Sequence, residues 1–124
     1  MTRGVPVIVA AFGLTACNPS GADAITDPVA KAEYHCRYVV ERAIADEAER
    51  DADGVLRREV ADFPAPTVTR TGDQVRFVWA RDSIARKDGR SRHGGTCVMD
   101  IKDGQQLVVS AELDGQPLHS GFRF

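Results

Sequence analysis

The hydrophobic period changes once along this chain, near Pro64 and Pro66, and that change most limits what it can fold into. Before it, Val29, Ala32, Cys36, Val40, Ala43 and Ile44 recur at helical spacing, with Lys31, Glu33, Glu41, Arg42 and Asp46 on the opposite side. Asp27 and Pro28 suit a helix cap and first turn, and Gly54 suits a stop. After it, apolar residues alternate. Thr67–Thr71, the turn Gly72-Asp73 and Val75–Ala80 read as a hairpin, with Val75, Phe77 and Trp79 on one face. Thr96–Lys102 reads as a third strand, Asp103-Gly104 as a tight turn, and Leu107–Leu113 as a fourth strand closed by Asp114-Gly115. Between the two parts, Leu56, Val60 and Phe63 are spaced for a short helix that Pro64 and Pro66 would end. The expected class is α+β: one N-terminal helix packed on an antiparallel meander of about four strands.

The first residues carry an address. Met1-Thr2-Arg3-Gly4 bears one positive charge, Val5 to Gly13 is apolar, and Leu14-Thr15-Ala16-Cys17 follows. The apolar run falls short of the ~20 residues that span a bilayer. Charge, short apolar run and small residues before a cysteine resemble the signal peptide and lipobox of bacterial lipoproteins. The resemblance implies cleavage after Ala16 and acylation of Cys17, so that residues 1–16 are a signal, 17–26 a flexible lipidated tether and 27–124 a single domain. Stable anchoring would then come from two or more acyl chains on one residue. Asn18, rather than Asp, after the cysteine implies the outer membrane, with the domain facing the periplasm. An exported chain with Cys17 lipidated has an even pair left, Cys36 and Cys97, and outside the cytoplasm such a pair implies a disulfide.

Removal of residues 1–16 takes away Arg3 alone among the charged residues and leaves a net charge of −3. That balance argues against general nucleic-acid binding, which needs a basic surface.

His35, Cys36, His93 and Cys97 are zinc-ligand types, but His93 and Cys97 would stand roughly 13 Å apart on an extended strand, and His35 and Cys36 would point different ways from a helix. Glu49–Leu56 is similar to a calcium loop, yet Val60 falls where the closing carboxylate belongs. His119-Ser120 has no nucleophile elbow around it, and oxidised cysteines supply no thiolate. The expectation is therefore no enzyme, no cofactor and no metal. The stretch 81–93 is the exception of interest: Arg81, Arg86, Lys87, Arg90 and Arg92 stand against Asp82 and Asp88 in what reads as a loop between strands. Such a loop would suit an anionic ligand.

Two lipoprotein families share part of this pattern. Ser120-Gly121-Phe122-Arg123-Phe124 resembles the Ser-Gly-x-x-Tyr element of lipoprotein inhibitors of C-type lysozyme, with Phe in place of Tyr; those inhibitors are all-β, whereas residues 28–53 here read as helix. The helix-then-meander order is similar to small lipoproteins of the outer-membrane assembly machinery. The functional expectation is a lipid-anchored, non-catalytic envelope lipoprotein. It would serve as a binding or structural accessory, or as a ligand-binding or inhibitor module that meets an envelope protein or an anionic glycan or lipid through 81–93.

Overall fold

The computed structural model describes residues 24–51 and 60–124, without the side chains of 46–51. The lipobox, Cys17, Gly54 and the acidic side chains of the calcium-like stretch lie outside the described residues.

Helix α1 runs Pro28–Asp51. Asp27 starts it: its Oδ2 accepts the Ala30 N–H at 2.8 Å and its carbonyl accepts the Lys31 N–H at 2.9 Å, which satisfies donors that a helix start otherwise leaves unpaired. Ala32, Cys36, Val40 and Ile44 form the stripe expected from their spacing and are fully buried. No helix among the described residues is long and apolar enough to cross a membrane.

The sheet has six strands rather than about four: β1 Ala61–Asp62, β2 Thr67–Thr71, β3 Gln74–Arg86, β4 Arg92–Asp100, β5 Leu107–Leu113 and β6 Gln116–Pro117. All neighbours are antiparallel, in the order β1-β3-β4-β5-β6, and β2 pairs with β3 beside β1. The two extra strands are two residues each, too short to carry an alternating pattern. Two segments differ from their expected conformation. Val60 to Phe63 is not a short helix; Ala61 and Asp62 pair with Arg86 and Ala85, while Phe63 packs edge-on to Trp79 at 5.4 Å. Nor is 81–93 a loop. β3 continues to Arg86 and β4 starts at Arg92, so only 87–91 turn the corner.

One sheet face and the helix stripe make the core. Val75, Phe77, Trp79, Cys97, Met99, Val108 and Ala111 lie buried against Cys36, Val40 and Ile44. The Trp79 indole N–H, which would be costly to bury unpaired, donates to the Pro64 carbonyl at 2.9 Å. Cys36 and Cys97 are joined by a disulfide, so helix and central strand are linked through the middle of the core. The C-terminal segment runs along the outer side of β5: Val108 N–H donates to Phe122, Gly121 N–H to Val108, and Phe124 N–H to Gln106. Phe124 then stacks on the buried His35 ring, 4.2 Å between centroids.

Candidate functional site

A polar groove opens where β3 bulges. Trp79 pairs with Gly95 and Ile84 with His93, so Ala80, Arg81, Asp82 and Ser83 all stand opposite Gly94. The surplus residues loop outward. Asp82 takes a left-handed φ of 61°, a conformation that aspartate tolerates better than most residues, and the Ser83 hydroxyl donates to the Ala80 carbonyl at 2.6 Å. On the opposite wall, Asp114 and Gly115 have φ of 52° and 81°, as a two-residue hairpin turn with both central residues at positive φ requires.

Asp114 fastens that turn to β4. Its Oδ1 accepts the Gly94 N–H at 2.9 Å, its Oδ2 lies 2.6 Å from His93 Nδ1, and its own N–H donates to the Gly94 carbonyl at 2.9 Å. Partial burial pushes its carboxyl pKa up. The Gly94 N–H, the His93 ring and the nearby charge of Arg81 outweigh that effect, and the net shift is down. A carboxylate cannot donate, so Nδ1 must carry the proton. In neutral His93, Nε2 is then the acceptor, and it takes the Ser91 hydroxyl at 2.8 Å. Ser91, His93 and Asp114 thus form a directed chain of hydrogen bonds.

The groove encloses about 580 Å³ and is lined by the charged groups Arg81, Arg92, Asp82, Glu112 and Asp114, with Thr96 and the glycine backbone between them. The basic residues of 81–93 are therefore divided. Arg81 and Arg92 reach the groove together. Arg86 does not: its side chain is 3% exposed and ion-paired with Asp88. Lys87 Nζ is 3.9 Å from Asp62 at the neighbouring strand. Arg90 is exposed at the hairpin tip, and its N–H donates to Asp88 at 2.9 Å. The hydrogen bond from Arg86, followed by that from the Arg90 N–H, holds the Asp88 carboxyl below the usual carboxylate range.

The zinc-type residues are also engaged elsewhere: Cys36 and Cys97 with each other, His35 Nδ1 with Gln106 at 2.8 Å, and His93 with Asp114. Among the described residues, no three metal-ligating side chains converge. Sequence reasoning missed Asp114 and Ser91 as partners of His93. The available signal was the spacing of Ser91 and His93, two apart, which in extended backbone puts both side chains on one side. That Asp114 would join them depends on the β4–β5 register, which the sequence pattern does not specify. Compared with protein-family models, curated proteins and solved structures, the chain matches none.

Proposed function

We propose that this chain is an exported lipoprotein, held to a membrane by acylated Cys17, whose domain is a binding or structural accessory of an envelope complex. The address rests on Arg3, the apolar run and Leu14-Thr15-Ala16-Cys17. The observation that carries the binding role is the placement and charge of the groove. Gln106 Nε2 donates to the Pro28 carbonyl at 3.2 Å, which puts the start of α1 beside the start of β5; a tether from Cys17 would join the domain there. The groove lies at the other end of that strand, against Glu112 and Asp114. With β5 spanning about 20 Å, a groove at that end would face away from the lipid. It holds two guanidinium groups and three carboxylates, a mixture that suits a protein surface bearing both signs better than a polyanionic glycan or lipid headgroup.

The test is a crosslinked pull-down of the tagged full-length chain from detergent-solubilised envelopes, run beside Arg81→Glu/Arg92→Glu. One protein recovered in stoichiometric amount by the native chain and lost from the variant is expected. Equal recovery by both would remove the groove from the interface. No protein above background would overturn the accessory role and leave an anionic glycan or lipid as the ligand to seek.

A further inference from the structure

We propose that Ser91 is a nucleophile toward carboxylic esters, with His93 as its general base and Asp114 as the group that positions the base. This goes beyond the binding role. Ser91 ends the 87–91 turn and His93 follows in β4; neither lines the groove, which shares only Asp114 with this chain of hydrogen bonds.

Three features of the geometry carry the inference. The connectivity is the one acyl transfer needs: carboxylate to Nδ1 at 2.6 Å, and Nε2 to hydroxyl at 2.8 Å. The carboxylate is itself held by the Gly94 N–H at 2.9 Å, so the ring is locked in the tautomer that makes Nε2 the acceptor of the Ser91 hydroxyl. Lastly, the base is buried more deeply than the serine. The His93 side chain is 6% exposed, whereas Ser91 is half-buried at the mouth of the 87–91 turn. Exposed Arg90 precedes it in the turn, which favours esters with a negative charge close to the carbonyl.

In the reaction, Ser91 Oγ bonds to the ester carbonyl carbon as its proton passes to His93 Nε2. The tetrahedral adduct collapses, and the alcohol leaves with that proton. Water then attacks the acyl-serine by the same route, releasing the carboxylic acid and restoring Ser91. Ester and water become acid and alcohol. General-base assistance of this kind is worth roughly 10²- to 10⁴-fold, so covalent capture is a better first readout than turnover.

The full-length chain in detergent is treated with a biotinylated alkyl fluorophosphonate, and the modified peptide is identified by mass spectrometry. Expected is phosphonylation at Ser91 with loss of fluoride, none in Ser91→Ala, and labelling slowed at least about tenfold in Asp114→Asn, in line with the general-base contribution. Ser83, Ser110 and Ser120 serve as internal controls. Labelling no greater than in Ser91→Ala, or equal labelling of all four serines, overturns the proposal. So does a folded Asp114→Asn that labels at the native rate. If Asp114→Asn does not fold, 4-nitrophenyl acetate cleavage by the native chain is compared with Ser91→Ala, and equal rates overturn it. Ser91 lies outside the groove lining, so Ser91→Ala leaves the pull-down unchanged and the two proposals fail separately.

Discussion

Gly94 shows how one residue governs the groove. A Cβ placed there would lie 2.9 Å from the Arg81 Cα and 3.0 Å from the Ala80 carbonyl oxygen, both backbone atoms that cannot swing aside. Gly94→Ala should therefore push β3 and β4 apart at the bulge and cost roughly 1–3 kcal/mol, typical of overpacking. Gly95→Ala should be milder, since its closest new neighbour is the Val40 side chain at 3.2 Å. Urea melts of both variants check the ranking. His35 sets a pH response. Burial lowers its pKa from the ordinary 6.5, and the charge of Lys31 adds to this, while the bond to Gln106 opposes it. A histidine kept neutral in the fold stabilises fully above its unfolded pKa, and that stability is lost as pH falls below about 6.5. Stability should decline from pH 7 toward 5, and His35→Phe should flatten the decline in that window. Denaturation midpoints across pH measure it. The buried face of α1 was readable residue by residue because a helix repeats its pattern. The environment of His35 was not, since its partners Gln106 and Phe124 are 71 and 89 positions away.

Among the elements, α1, the β2–β3 hairpin, the core of β4 and β5 followed their patterns closely. The second half of β3 hid for a physical reason. Arg81, Asp82 and Ser83 sit in the bulge and break the alternation, and the inward position after Ile84 is Arg86, a charge that is buried because Asp88 pairs with it. A charged stretch reads as a loop when its neutralising partner is two residues away in the turn. The C-terminal segment likewise shows no strand pattern, because it is held chiefly by backbone bonds to β5. The link between elements can be weighed. Cys36 and Cys97 close a span of 61 residues, worth about 4 kcal/mol through the entropy removed from the unfolded chain. Cys36→Ala/Cys97→Ala should lose about that much stability in urea melts. Dithiothreitol should produce the same loss in the native chain and none in the variant.

At the scale of the whole molecule, the start of α1 and the groove belong to opposite ends of one sheet, so the proposed attachment and recognition can be separated. Cys17→Ser should move the protein from the membrane to the soluble fraction while leaving its crosslinked partner unchanged. Loss of the partner together with the membrane would instead tie recognition to the lipid surface. The disulfide also has a consequence in time. If the chain is exported as proposed, Cys36 would reach the oxidising side well before Cys97, its partner 61 residues later. Throughout that interval the nearest other thiol would be Cys17, only 19 positions upstream. Acylation of Cys17 during passage would then do more than anchor the product: it would remove the one wrong partner available while the right one is still on the other side.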